Sequence, residues 1–171
     1  NQLLLSKLQP ILEGEIRRLD PKIPTVLLAH LMADRAQMGA ERFLAVGKGF
    51  TIPMSFLIRP EFDYVALGHV HRHQNLNPNG DPAVVYPGSI ERVDFGEEKE
   101  EKGYVLVHLE KGSTQWEFCS LPVRPFVTIK ADVTEKDDPQ GAILSAIAQQ
   151  KIPDAVVRLQ YKLRSEQIDK I

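Results

Sequence analysis

The sequence predicts an α/β fold with a small second domain, on three observations. Two short, continuous apolar runs, residues 25–29 and 64–67, each stop at a histidine or at a Gly-His pair. Runs of this kind read as parallel strands covered on both faces. An amphipathic stretch at 3–19 supplies a helix to pack on such a sheet. Beyond a proline-flanked linker, 122–125, a strand–helix–strand pattern starts afresh. The 171 residues suffice for one domain with a real core plus an appendage.

Within 3–19, Leu5, Leu8, Leu12, Ile16 and Leu19 fall at helical spacing, with Lys7, Glu13, Arg17 and Arg18 mostly off that stripe. Pro10 has no N–H, so the helix is expected to kink there or to begin after it. Asp20-Pro21-Lys22 ends it. The first strand, 25–29, leads into His30. Residues 31–42 read as an irregular surface segment, and 43–53 as two short apolar pieces around Gly47-Lys48-Gly49. That tripeptide is too short for a phosphate-binding P-loop, whose Gly-x-x-x-x-Gly-Lys-Ser/Thr pattern is absent.

Residues 54–58 give a helical turn, and 64–67 the second strand. Asn77-Pro78-Asn79-Gly80-Asp81-Pro82 is a dense turn signal. Val84-Val85-Tyr86 is a third strand, stopped by Pro87-Gly88. Residues 91–102 are charged, with Glu97-Glu98-Lys99-Glu100-Glu101-Lys102 read as a solvated loop or turn. Residues 104–109 and 116–121 flank Lys111-Gly112-Ser113 as a hairpin. In the appended piece, 126–133 and 156–163 alternate as strands. Between them 139–150 is helical, with Pro139 in its first turn and Ala142, Ile143, Ala146 and Ile147 as its apolar face.

Hydrophobic residues make up 43% and charged residues 26%, the balance of a soluble globular protein. No apolar run approaches the roughly 20 residues of a membrane span. The start has no basic n-region or cleavage site, so it is not read as a signal peptide. It also lacks methionine, and a processed or truncated chain is expected. A net charge of −2 does not indicate nucleic-acid binding through the chain's own field. The single cysteine, Cys119, cannot form an internal disulfide, which favours a reducing cytoplasm.

Gly68-His69-Val70-His71 points to chemistry. On an extended chain two residues span about 6.6 Å and both side chains leave one face. Ions of a hydrolytic pair sit about 3.5–4 Å apart, with metal–nitrogen bonds of about 2.1 Å. Each imidazole would then reach a different ion. His30, His69 and His71 all fall at C-terminal strand ends, the edge where open α/β sheets bind ligands. Neutral imidazole suits manganese, zinc or iron. A single histidine at a strand end is more often a cap or a core group; two spaced by one residue crowd a sheet edge without that excuse. His73 continues the spacing but lies beyond the strand, and His108 sits inside the hairpin; neither is counted as a ligand. Gly68 lets the backbone turn and the site approach closely, or simply ends the strand. Tyr86-Pro87-Gly88-Ser89 has two readings, an ordinary turn or a loop offering N–H groups and the Ser89 hydroxyl to a phosphate. Arg92 is likewise a phosphate contact or a surface arginine. Cys119 reads as a buried small apolar residue.

Three stretches carry a resemblance. They are Asp63-Tyr64-Val65-Ala66-Leu67-Gly68-His69-Val70-His71-Arg72-His73-Gln74, then Tyr86-Pro87-Gly88-Ser89-Ile90-Glu91-Arg92-Val93-Asp94-Phe95-Gly96-Glu97, then Lys102-Gly103-Tyr104. In this order and spacing they resemble the bacterial SbcD family. These are the nuclease subunits of the SbcCD double-strand-break repair complex, within the calcineurin-like metallophosphoesterases. The resemblance runs from His30 to the end.

It implies that 1–121 is part of the metallophosphoesterase αββα sandwich and 126–171 the start of a small, incomplete α+β capping domain. It implies that His30, His69 and His71 are metal ligands, the last two serving one ion each of a pair, usually Mn2+. It implies cleavage of DNA as exonuclease and endonuclease together with an SbcC-type ATPase. The superfamily's Asp-x-His, Gly-Asp and Gly-Asn-His-Asp motifs are expected upstream of residue 1, so no catalytic group is assigned in this chain. Two divalent ions carry about +4, which neutral imidazoles do not offset. The chain alone is therefore expected to hold at most one Mn2+ weakly, to leave DNA uncut, and to expose apolar sheet surface that drives homo-oligomerisation. The alternatives are a phosphoesterase of small substrates from the same superfamily and a non-catalytic interaction module.

Overall fold

A computed structural model describes residues 2–39 and 50–170. Of the stretch 43–53, expected as two apolar pieces around Gly47-Lys48-Gly49, residues 43–49 lie outside the described residues. The architecture is mixed α/β, in two compact units: residues 1–91 with 99–122, and residues 92–98 with 123–171.

In the first unit, α1 (Gln2–Ile16) lays Leu5, Leu8, Leu12 and Ile16 on the core. Fully burying one such side chain contributes about 1.5–3 kcal/mol; Ile16 is buried and the leucines partly so, and this stripe rather than helix propensity holds the helix. The helix runs through Pro10 instead of starting after it. Pro10 has no N–H to offer the Ser6 carbonyl, and both residues are exposed.

The sheet has the order β1 (Val26–His30), β4 (Tyr64–Gly68), β6 (Ala83–Tyr86), β5 (Gln74–Asn75). β1 and β4 are parallel, with Val26 opposite Tyr64 and His30 opposite Gly68. β6 is parallel to β4, and β5 runs antiparallel beside it. The crossover from β1 to β4 contains β2 (Met32–Ala33), β3 (Thr51–Ile52) and α2 (Met54–Leu57). One sheet face carries Leu27, Ala29, Val65, Leu67, Val84 and Tyr86 and packs on α1 and α2.

Three expectations are corrected here. β1 is not covered on both faces: Leu28 is 81% exposed and Val26 is exposed too. A continuous apolar run reports hydrophobicity, not whether a second layer is present. The supposedly irregular 31–42 contains β2, which pairs in parallel with β3 and buries Ala33. Two residues are too few to show a period. The charged stretch 91–102 is not simply solvated. It contains a 3₁₀ turn, Phe95–Glu97, and both Glu97 and Lys102 are fully buried.

β7 (Gly103–His108) and β8 (Gln115–Ser120) form the expected antiparallel hairpin. Asp63, just before β4, ties it down. Its carboxylate accepts from the Thr25 N–H (2.8 Å), the Lys111 ammonium (2.9 Å) and the Gly112 N–H (3.0 Å). Burial pushes this carboxyl up, but those three donors outweigh it and hold it below the usual aspartate value.

The second unit is a β-α-β piece. β9 (Phe126–Asp132) and β10 (Val156–Lys162) are parallel, with Phe126 opposite Val156. Between them α3 (Pro139–Ala148) starts on an Asp138 cap, whose carboxylate accepts from the Gly141 N–H at 2.9 Å. The core is Ile129, Val133, Pro139 and Ile143, while Ile147, expected on the buried face, is exposed. Residues 92–98 join this unit. Phe95 packs on Phe126 and under the Arg158 guanidinium, and Glu98 accepts from the Thr128 hydroxyl at 2.6 Å.

Candidate metal centre

Because β1 and β4 are parallel, their C-terminal ends lie side by side. His30 stands opposite Gly68, and a Cβ built on Gly68 would lie 2.8 Å from His30 Nδ1. A residue without a side chain is what admits the ring. The His30 ring then meets the His69 ring edge to face, with centroids 5.4 Å apart and planes at 73°.

His69 is where the chain leaves the sheet. Its φ is +102°, in the left-handed region that non-glycine residues avoid. The backbone bends at His69 and again at His71 and Arg72. The expected extended geometry, with both histidines on one strand face, is therefore corrected. The recorded ring contact runs across two strands, from His30 to His69. Val70, between the two histidines, is buried and anchors the bend.

Two supports hold these segments. The buried Tyr86 hydroxyl donates to the Leu31 carbonyl (2.8 Å) and accepts from the Ala33 N–H (3.0 Å), fixing the chain just after His30. Burial pushes this phenol above its usual value, so it stays a neutral donor. On the other side, the His71 carbonyl accepts from the Ser89 N–H (3.0 Å) and the Lys102 ammonium (3.2 Å). Gly88, at φ +84°, makes that approach possible: a Cβ there would sit 2.7 Å from the His71 oxygen.

The remaining candidates make contacts within the fold. His73 Nδ1 donates to the Tyr86 carbonyl at 2.9 Å, and its ring stacks on Phe118 at 4.1 Å. His108 is exposed at the end of β7. The Ser89 hydroxyl donates to the Glu91 carbonyl (2.8 Å). Arg92, in the second unit, donates from Nε to the Glu97 carbonyl and from Nη1 to the Arg124 carbonyl, both at 3.1 Å. Cys119 is half-buried rather than buried, and a hydrogen bond with it raises the Tyr104 hydroxyl's pKa. A polar hollow of about 330 Å3, lined by Asp63, Asn75, Asn77, Asp81 and Trp116 among others, lies at the opposite end of β4 from the histidines. The chain's Gly80-Asp81 pair is in that turn, before β6.

The donor set can be tested for a metal. Two imidazoles bound to one ion through nitrogens about 2.1 Å away have centroids roughly 5 Å apart. The His30–His69 separation of 5.4 Å meets that. Among the described residues, no three His, Cys, Asp or Glu side chains gather into a metal-holding group. These histidines fit one side of a metal site. Tyr86 and Lys102 are the supports that sequence reading missed. Tyr86 was legible only as part of a strand, and Lys102 was hidden in a charged run.

No family model matches the chain. Three curated proteins are similar to it. One, 42% identical over 79 residues, is the uncharacterized metallophosphoesterase YhaO of Bacillus subtilis (strain 168); the match covers 46% of this chain and 19% of that protein. Another is the SbcD component of the nuclease SbcCD from Staphylococcus epidermidis, 31% identical over 129 residues, or 73% of this chain and 33% of that protein. The third is the DNA double-strand break repair protein Mre11 of Methanosarcina mazei, 31% identical over 99 residues, or 57% of this chain and 16% of that protein. The chain is thus a relative of metallophosphoesterases. Within that class it resembles the SbcD-type nucleases, and it spans a third or less of the length of the relatives it matches. No helix among the described residues is long and apolar enough to cross a membrane.

Proposed function

We propose that His30, His69 and His71 form one wall of the metal site of an SbcD-type nuclease, which hydrolyses DNA phosphodiesters in double-strand-break repair. The observation that carries this reading is the His30–His69 pair, brought over Gly68 by two parallel strand ends at a spacing suited to one shared ion. A pair of divalent ions, Mn2+ in this reading, supplies polarisation of the phosphate and a hydroxide at neutral pH. This chain's own part is to orient imidazoles. β1 presents His30, the bend at His69 aims its ring at that of His30, and the turn at Gly88 and Ser89 steadies His71. Ser89 and Arg92, the phosphate contacts expected from the sequence, also donate to backbone carbonyls.

The same proposal takes residues 1–121 as part of the nuclease domain and 126–171 as the start of a capping domain, joined by 122–125. The separate compactness of residues 123–171 supports it. DNA and an SbcC-type ATPase would be the partners, in the cytoplasm.

Calorimetric titration tests the reading. The isolated chain is expected to take up at most one Mn2+, weakly, and to leave linear DNA uncut; two tight sites would overturn it. In the full-length protein, DNA cleavage is expected to be lost with His30→Ala or His69→Ala. Retained cleavage by both variants, or hydrolysis confined to a small chromogenic phosphodiester, would remove the nuclease assignment.

A further inference from the structure

Lys102 is a buried cation in a segment whose sequence reads as solvated. Its side chain has no exposed surface. Lysine is almost never buried without partners, because losing hydration penalises the charged form. Its ammonium donates to the His71 carbonyl at 3.2 Å and pairs with the Glu100 carboxylate at 3.0 Å. Glu100 is itself largely enclosed.

The His71 carbonyl therefore sits between two donors that come from different parts of the chain. The Ser89 N–H arrives from the Pro-Gly turn, and the ammonium arrives from the residue just before β7. A carbonyl held by two donors, one of them charged, has a fixed peptide plane. That plane follows directly on the His71 Cα, so it sets the direction in which the imidazole leaves the backbone. Val70, buried on the other side of His71, blocks rotation of the segment as a whole.

We propose that Lys102 is a positioning residue for the His71 imidazole, acting through the His71 carbonyl. The proposal rests on the reading of His71 as a metal ligand and adds how its direction is set. It also accounts for the adjacent pair Lys102-Gly103, in which Lys102 reaches the site while Gly103 lets the chain enter β7 against Cys119.

A double-mutant cycle on metal affinity tests this. Mn2+ is titrated into the full-length protein that contains this chain, its Lys102→Met and His71→Ala variants, and the double variant. Binding is followed by the paramagnetic signal of free Mn2+, and folding by circular dichroism. Lys102→Met keeps the buried stem and removes only the ammonium. It is expected to weaken Mn2+ binding about 10-fold, the usual effect of losing an outer support of a metal ligand. In the His71→Ala background the same change is expected to do nothing. An equal loss in both backgrounds would make Lys102 merely structural and overturn the proposal, as would unchanged or tighter binding in Lys102→Met. If His71→Ala leaves Mn2+ binding by the full-length protein unchanged, or that protein binds none, the ligand reading of His71 fails instead and takes this proposal with it. Should Lys102→Met not fold, Gly88→Ala disturbs the His71 carbonyl from the other side and is expected to show the same dependence on His71; a loss independent of His71 would overturn it.

Discussion

His69 holds a backbone conformation that costs of the order of 1–3 kcal/mol for a residue with a side chain. The fold tolerates it because Val70 is pinned in the core and Gly68 is pinned in the sheet. Strain and imidazole can be separated by two substitutions. His69→Gly removes both the ring and the strain, whereas His69→Ala removes the ring alone. The glycine variant is expected to be more stable than the alanine variant by about 1 kcal/mol, a few degrees in Tm, with both equally impaired in Mn2+ binding. An alanine variant melting at or above the glycine variant would refute the strain. At this scale, sequence spacing brought out His30, His69 and His71 as candidates but gave the wrong path between them. A positive φ leaves no mark in a one-dimensional pattern when the residue is not glycine.

The elements were largely legible, and their anchoring was not. Alternation and the Lys111-Gly112-Ser113 turn disclose the hairpin β7–β8. Nothing local discloses that Asp63, nearly fifty residues earlier in the chain, fastens that turn. The Asp63 carboxyl lies below its usual value in the folded chain, so its contribution is present above the unfolded aspartate pKa. It is lost as pH falls through the lowered folded value. Asp63→Asn is expected to cost about 1–3 kcal/mol at pH 7, by breaking charge-assisted hydrogen bonds to a buried group. It is also expected to flatten the decline of stability below about pH 4. Chemical denaturation at pH 7 and pH 3 checks both; an undiminished pH dependence in the variant would assign the acid sensitivity to other carboxylates. The error at β1 has a similar origin, since hydropathy registers what a strand buries and not how many layers the unit provides.

For the whole molecule, that open strand matters most. Val26 and Leu28 project from β1, which among the described residues is an edge strand of the four-stranded sheet. Exposed apolar side chains on an open sheet face invite a second copy. The chain is expected to self-associate as its concentration rises, and Leu28→Glu to shift it towards monomer without loss of circular-dichroism signal. Light scattering across a hundred-fold concentration range reads this, and a concentration-independent monomer for the parent chain would count against it. The division into two units was partly visible in the sequence, from the change of texture after the prolines. The assignment of residues 92–98 to the second unit was invisible, because it depends on Phe95 meeting Phe126 and Arg158.

The pairing of β1 with β4 has a consequence for how finely the site is gauged. The distance between the two rings is measured out in ladder steps, since His30 faces Gly68 only in the observed register. Sliding β1 by two residues would carry His30 about 6.6 Å along the strand and set its ring against a position that has a side chain. Sliding by one would turn it to the opposite face. The backbone ladder is in effect a ruler with graduations of about 3.3 Å. A change that loosens the start of β1, far from any histidine, would therefore be read out as mismeasured spacing at its end.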